Sequence, residues 1–294
     1  MKKTLIVTAL LCAFALQSCK SNQTTDNTNE PKQLNISILL DLSDRILPSK
    51  HPAANPPHQD RDLAIINSIL EYFKKDMEER GTFDANGRIQ IFMEPAPAIP
   101  GINDLQRQLS IDCSKLDVKQ KKELYDGIGN TFNNTLSEIY KQTIAYNKFP
   151  GSDIWRFFQN KAKDYCVARD SNYRNILIVL TDGYIYDPNT TRRVDNRVQN
   201  LTYNTIAKYR AVQDPLAAIQ SDDFGLLVPQ NVDLHDLEVI VLEVSPKNNN
   251  QKDEQILTYC IDKWLEEMGV KRHRVYTTDL PANIEKRIGL FLEE

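Results

Sequence analysis

The chain has 294 residues, with 36 Lys and Arg against 40 Asp and Glu, so its formal net charge is −4. Its basic residues are not clustered, which excludes the basic patch or stripe typical of nucleic-acid-binding domains. A negatively charged body also gains nothing from anionic lipid, so membrane attachment would have to depend on an acyl chain.

The start of the chain has the pattern of a secretory signal peptide. Lys2 and Lys3 precede an apolar run over residues 5–16, which is too short for a transmembrane helix. The run ends in Leu16-Gln17-Ser18-Cys19, which resembles the bacterial lipobox, in which the Cys is acylated and becomes the first mature residue. The alternative is an ordinary signal peptide, but the small-x-small site at residues 13–15 lies inside the apolar run.

We therefore expect residues 1–18 to be a lipoprotein signal peptide and Cys19 to be the lipidation site. Residues 19–33 are polar, without a large apolar side chain, and are expected to be a flexible tether. The expected location is the bacterial cell envelope, with lipid as the only contact with the membrane. That membrane would be the outer membrane, and the chain would lie on its periplasmic or surface face.

Short apolar runs predict the strands of the folded part. The runs at 175–181 and 237–244 are largely apolar and rich in β-branched residues, which is typical of parallel strands covered on both faces. Two more strands are predicted at 35–41 and 88–93, and a weaker one at 274–277.

Helical periodicity alternates with these strands. The predicted helices are one around 66–77 that Gly81 ends, one at 117–146 with capping-box spacing at Asp117 and Gln120, one at 152–168 with Tyr165 inward, one around 257–268, and a last one from residue 281. The alternation predicts an α/β fold over residues 34–294, with a doubly wound, mostly parallel sheet and helices on both faces.

Two segments depart from this alternation. Residues 47–62 hold four prolines, together with His51 and His58, and are predicted to be a loop. Residues 184–236 are long, polar and mixed, and are predicted to be an insertion with some helix near 197–212. Of the remaining cysteines, Cys113, Cys166 and Cys260, the last two lie on apolar helical faces, where buried free thiols are expected.

Polar residues follow two of the predicted strands. Asp41, Ser43, Asp44 and Arg45 follow the first strand, and Thr181-Asp182-Gly183 ends the third. Ser152 and Asp153 lie at a helix start upstream of Asp182. Ligands of open α/β sheets bind beyond the carboxyl ends of the strands, so we expect these three loops to meet at one edge. An Asp after a strand is also a common turn former, and Asp-Gly is a frequent turn.

The segments LLDLSDR and LIVLTDG together resemble the von Willebrand factor A domain, a doubly wound α/β family. Its metal-ion-dependent adhesion site has an Asp-x-Ser-x-Ser loop after the first strand, a Thr on a middle loop and a late Asp. Asp41 and Ser43 match the first loop, Asp182 matches the late Asp, and Ser152 stands where the family has Thr. The resemblance therefore implies these four as metal ligands for Mg²⁺ or Mn²⁺, with Asp44, Arg45 and Asp153 as auxiliary residues.

The sequence departs from the family at Arg45, which replaces the second Ser. In one outcome Arg45 points away, for example to Asp44, and an ion is still held, with water or Asp153 filling in. In the other, the guanidinium lies among the carboxylates in place of the ion, so that no cofactor is needed and Arg45 attracts the partner's acid.

The resemblance implies a lipid-anchored, non-enzymatic module that binds an unknown protein partner through a carboxylate. One alternative is a structural envelope lipoprotein without a metal site. Another is a metal-dependent phosphoesterase that uses Asp41, Asp44 and Asp182, although the sequence has no nucleophile elbow, P-loop or dinucleotide motif.

Overall fold

The computed structural model describes residues 31–50 and 54–293. The predicted signal peptide, Cys19, most of the predicted tether and His51 lie outside these residues. In chain order the elements are β1 (Gln33–Leu40), α1 (His58–Asp84), β2 (Arg88–Met93), α2 (Ile102–Gln108), β3 (Ser110–Asp112), α3 (Val118–Tyr146), α4 (Ile154–Asn160), α5 (Ala162–Cys166), β4 (Tyr173–Leu180), β5 (Arg193–Val194), β6 (Arg197–Val198), α6 (Ala207–Arg210), α7 (Pro215–Ser221), β7 (Gly225–Leu226), β8 (Leu237–Val244), α8 (Gln251–Glu267), β9 (Arg272–Thr277) and α9 (Pro281–Glu293), with 3-10 turns at Asp44–Ile46, Cys113–Lys115 and Lys247–Asn249.

Six strands form the central sheet in the order β3-β2-β1-β4-β8-β9. All neighbours are parallel except β3, which pairs antiparallel with β2. Leu40 at the end of β1 lies opposite Leu180 of β4, and Leu180 lies opposite Leu242 of β8. The central strands therefore end together, and the loops that follow them meet at one edge of the sheet.

The sheet is covered on both faces, as the apolar strand runs predict. Ile176, Ile178 and Leu180 of β4 pack in one core with α1, α3 and α9. Leu177 and Val179 pack in a second core with α4 and α8. Successive strand side chains point to opposite faces, so each central strand contributes to both cores. The prediction of a doubly wound α/β fold with a mostly parallel sheet is confirmed.

The prediction of a loop over residues 47–62 is wrong at its end, because α1 begins at His58. Pro57 is the residue before the first helical position, and its fixed φ is compatible with a helix start. Arg61 and Asp62 are buried on the helix. Gly81 breaks the helix as predicted, with φ 72° and ψ 165°.

Helix α3 begins with the predicted capping box. The Asp117 side chain accepts a hydrogen bond from the Gln120 backbone N–H at 2.8 Å, and the Gln120 side chain accepts one from the Asp117 N–H at 2.9 Å. The helix ends at Asn147, which has a left-handed conformation. At the start of the helix, the capping box provides hydrogen-bond partners for two backbone N–H groups, those of Asp117 and Gln120.

The prediction of a single helix over residues 152–168 is wrong. Two short helices, α4 and α5, are separated at Lys161, whose φ of −128° is not helical. Tyr165 is 57% exposed rather than inward. The three cysteines at 113, 166 and 260 are buried free thiols, as predicted for the last two.

The segment 197–212 contains some helix, as predicted, but only the four residues of α6. Within residues 184–236, which are all described, a small sheet forms in the order β5-β6-β7. Helix α6 has four residues, and α7 begins after Asp214, whose side chain caps it, with Pro215 in the first turn. Among the described residues, no helix combines the length and the apolar character needed to cross a membrane.

Candidate functional site

A cleft of about 670 Å³ opens at the carboxyl edge of the sheet. Ser43, Asp44, Ser152 and Asp182 line it, so residues from all three predicted loops meet there. The wall also carries four aromatic residues and two lysines, namely Phe149, Tyr184, Tyr186, Tyr203, Lys50 and Lys247. Tyr184 is buried at the cleft wall, and Tyr186 is 45% exposed.

Asp41 lies behind the cleft rather than in its lining. Its side chain is buried, and its Oδ1 accepts a hydrogen bond from the Ser43 N–H at 2.9 Å. Its Oδ2 accepts one from the Thr181 hydroxyl at 2.7 Å. Asp41 therefore ties the loop after β1 to the end of β4, and it orients Ser43 rather than facing a ligand directly.

Arg45 is turned into the protein and is 1% exposed. Its Nη2 lies 2.5 Å from Asp62 Oδ2, and its Nε donates to the Asp41 carbonyl at 2.8 Å. Nη2 also donates to the Leu180 carbonyl at 3.3 Å. The Tyr140 hydroxyl donates to the same Asp62 oxygen at 2.8 Å. Arg45 therefore joins the ends of β1 and β4 to α1 and, through Asp62, to α3.

This position settles where the guanidinium lies. Arg45 does not line the cleft, and its partner is Asp62 rather than the exposed Asp44 of the first outcome. Its guanidinium lies among buried carboxylates, as the second outcome has it, 2.5 Å from Asp62 and 3.9 Å from Asp41. Burial alone would lower the pKa of Arg45, but the charges of Asp62 and Asp41 outweigh it and raise the pKa above its ordinary value. Because it is buried, Arg45 cannot contact a partner's acid directly.

Asp182 forms the buried carboxyl of the cleft. It is 6% exposed, and its Oδ1 accepts a hydrogen bond from the Tyr184 N–H at 3.0 Å. Burial, and then the neighbouring charge of Asp41, raise the pKa of Asp182 to about 7. The Tyr184 N–H and the more distant charge of Arg45 compensate its negative charge only in part, and a cation placed beside it would lower its pKa again.

Ser152 contributes a buried hydroxyl to the cleft. The residue is 2% exposed, and its Oγ has no hydrogen-bond partner within the part of the chain that the structure describes. Its backbone pairs with Tyr186, with the Ser152 N–H donating at 2.7 Å and the Tyr186 N–H donating at 2.9 Å. Because buried polar groups are normally satisfied, this hydroxyl is suited to hold a ligand or a water molecule.

Gly151 allows the close approach of these two segments. It has φ 106°, and a Cβ at this position would lie 2.3 Å from the Tyr186 carbonyl oxygen. We expect Gly151→Ala to lower the free energy of unfolding by about 1–3 kcal/mol and to separate Ser152 from the cleft wall. Urea unfolding measures the loss. Gly127→Ala is the control, because a Cβ there meets nothing within 4 Å. Equal stability of the two variants would contradict the prediction.

Asp153 faces away from the cleft. Its Oδ1 accepts a hydrogen bond from the Arg156 N–H at 3.1 Å and caps α4, and its Oδ2 lies 2.9 Å from Arg156 Nε. Arg156 also contacts Asp187 at 2.5 Å. Burial, and then a hydrogen bond with Asp187, raise the pKa of Asp153 to about 6. The side chain of Asp153 therefore serves the helix start and does not line the cleft.

The available donors define what the cleft could hold. Across residues 31–50 and 54–293, no three His, Cys, Asp or Glu side chains are grouped so as to hold a metal ion. A cation in the cleft would therefore depend on one buried carboxylate, Asp182, with the hydroxyls of Ser43 and Ser152 and the exposed Asp44 nearby. This all-oxygen set with one buried charge fits a hard cation such as Mg²⁺, but only with water or an external ligand completing the coordination.

Three contributors were not predicted from the sequence. Thr181 holds Asp41, and Asp62 and Tyr140 surround Arg45. Asp62 is spaced four residues before Ile66 on the buried face of α1. A carboxylate on the buried face of a helix needs a charged or hydrogen-bonding partner. The helical spacing from Ile66 is therefore the sequence signal that could have indicated a buried partner for Asp62.

The chain matches no model of a protein family and no curated protein. The resemblance to the von Willebrand factor A domain therefore depends on the two short motifs, and function must be argued from the geometry of the cleft.

Proposed function

We propose that this chain is a lipid-anchored binding module of the bacterial cell envelope. In this proposal the cleft holds a divalent cation, Mg²⁺ or Mn²⁺, in the manner of the von Willebrand factor A adhesion site, and the cation binds an acidic group of a protein partner. The observation that carries the proposal is the pairing, in one open cleft, of the buried carboxyl of Asp182 with the buried hydroxyl of Ser152, which has no hydrogen-bond partner among the described residues.

The chemistry of these groups supports a cation rather than an anion in the deepest part of the cleft. Asp182 and Ser152 offer oxygen donors, which hard divalent cations prefer. The Arg45 guanidinium does not enter the cleft, so it does not block this position. Asp41 accepts hydrogen bonds from Ser43 and Thr181 and thereby fixes the two loops that carry the donors.

The rim of the cleft supports an acidic protein partner. Lys50 and Lys247 are exposed on the wall, and Tyr186 presents a large aromatic surface beside them. Exposed tyrosine is favoured at protein interfaces, and lysines at a rim steer acidic partners towards the site.

Divalent cation is expected to raise the melting temperature of the wild type. At about ten times the dissociation constant, the gain is about 1.4 kcal/mol in the free energy of unfolding. Asp182→Ala is expected to show no cation-dependent gain, and Ser152→Ala a smaller one. The measurement is a thermal melt with added Mg²⁺ or Mn²⁺ and with EDTA. Asp153→Ala is the control that should keep the response, because Asp153 does not line the cleft.

If added cation does not change the melting temperature of the wild type, the proposed cation site is contradicted and the alternative of a structural lipoprotein is favoured. The partner is tested by co-purification from envelope extracts, in which the captured protein must be lost with Asp182→Ala and with EDTA. A screen against phosphoesters separates binding from the phosphoesterase alternative.

The proposed location depends on the motif that ends at Cys19. Acylation at this residue would attach the body through residues 19–33. Membrane fractionation of a Cys19→Ala variant tests this part of the proposal separately from the cleft.

A further inference from the structure

Three buried carboxylates lie at this edge of the sheet: Asp182 in the cleft, and Asp41 and Asp62 behind it. They are 6%, 1% and 0% exposed, in that order. Arg45 lies 2.5 Å from Asp62 and 3.9 Å from Asp41, measured between charged atoms. The positive charge of Arg45 is therefore within ion-pair distance of two of the three carboxylates, and it also acts on the third, Asp182, from farther away. A cation in the cleft is left with Asp182 as its buried carboxylate, beside the exposed Asp44.

We propose that Arg45 is a specificity-determining residue that keeps the intrinsic cation affinity of the cleft low, so that the cation binds well only together with an external carboxylate. This inference rests on the proposed function and deepens it. The cation and the acidic group of the partner would then bind cooperatively.

The physical reason is the number of charges that the cation meets. The affinity of all-oxygen sites for divalent cations increases with the number of charged ligands. Arg45 remains protonated at every pH at which proteins are folded and is held by two backbone carbonyls, so its charge cannot leave. An external carboxylate supplies a negative charge in place of the one that Arg45 offsets. Because the binding of two ligands is thermodynamically linked, the cation and the carboxylate then each increase the affinity for the other.

The test replaces the Arg45–Asp62 ion pair by neutral side chains while keeping the shape. It removes one positive and one negative charge, so the net charge is unchanged, and the expected effect comes from losing the charge of Arg45, which acts on Asp182. In Arg45→Gln/Asp62→Asn, the Gln side chain can still donate to a backbone carbonyl, and the Asn can still accept from the Tyr140 hydroxyl. Binding of Mn²⁺ is measured by electron paramagnetic resonance or calorimetry, without and with sodium acetate, at constant ionic strength. We expect acetate to increase the Mn²⁺ affinity of the wild type several-fold, and the variant to bind Mn²⁺ several-fold tighter without acetate.

Arg61→Gln/Glu243→Gln is the matched control. Arg61 and Glu243 form another buried pair at 2.6 Å, and neither residue lines the cleft. This control is expected to leave the Mn²⁺ affinity and its acetate dependence unchanged. A second variant, Arg45→Ser/Asp62→Asn, adds a hydroxyl and is expected to bind Mn²⁺ at least as tightly as the Gln variant.

The outcomes separate the inference from the proposed function. Mn²⁺ binding by the wild type that does not change with acetate overturns the inference and leaves the cation site in place, and this result needs no variant. A folded Arg45→Gln/Asp62→Asn protein with the affinity of the wild type overturns it as well. If neither protein binds Mn²⁺ with or without acetate, the proposed cation site itself fails, and the inference fails with it.

Discussion

Replacing Arg45 by alanine is expected to lower the free energy of unfolding by about 3–5 kcal/mol, because it leaves the buried carboxylate of Asp62 without its charge partner. Asp62 would keep the Tyr140 hydroxyl at 2.8 Å, which does not neutralise it. The Asp41 and Leu180 carbonyls would also lose the donors that now link the ends of β1 and β4. Urea unfolding followed by circular dichroism measures the loss.

The neutral pair Arg45→Gln/Asp62→Asn is the control for this prediction. It is expected to cost less than Arg45→Ala alone, because no charge is left unpaired in the interior. The single variants Arg45→Gln and Asp62→Asn and their double variant form a cycle whose coupling energy reports the ion pair. Arg45→Ala within about 1 kcal/mol of the wild type would contradict the placement of Arg45 in the interior.

A stable ion pair behind the cleft has a consequence for function. The loops after β1 and β4 are joined by Arg45 and by the hydrogen bond from Thr181 to Asp41, both made by the chain itself. The corner is therefore formed before any cation arrives, and a cation would add to a preformed site. A preformed site loses little conformational entropy on binding, so the proposed cation would not have to order these loops.

The central sheet was predictable from the sequence because its strands are buried on both faces. The runs at β4 and β8 are apolar nearly throughout, and few other elements need that pattern. Small elements carried no such signal. The strands β5, β6 and β7 have two residues each, which is too short for any alternation to be read. The fold of the inserted segment depends on tertiary contacts.

The sequence also predicted which loops meet at the candidate site but not how deep each side chain lies. The register of parallel strands brings residues 41 and 182 to one edge. Whether a side chain beyond the strand end faces the cleft depends on turn geometry, and Asp41 and Asp153 turned out to face other groups. The Arg45 partner was missed because the prolines of the preceding segment indicated a loop where Asp62 is helical.

The second large effect is expected at Asp182. Its pKa is about 7 in the folded chain, against about 4 for an ordinary Asp, so the folded state holds this proton more tightly. The stability gained from that proton is complete below about pH 4 and is lost as the pH rises through 7. In the absence of divalent cation, Asp182→Asn avoids this loss of stability, because an amide carries no proton that is released as the pH rises. Relative to the wild type, it should gain on the order of 2–4 kcal/mol between about pH 4 and pH 8.

The measurement is the free energy of unfolding as a function of pH in EDTA for the wild type and Asp182→Asn. Glu71→Gln is the control, because it removes an exposed carboxylate that lies outside the cleft, and it should follow the wild type. Added Mn²⁺ should then stabilise the wild type near pH 8 and leave Asp182→Asn unchanged, since the ion compensates the same charge that the amide removes. A wild type whose stability does not fall relative to the variant as the pH rises would mean that Asp182 is already compensated within the chain. In that case the cleft would have no unmet charge with which to attract a cation.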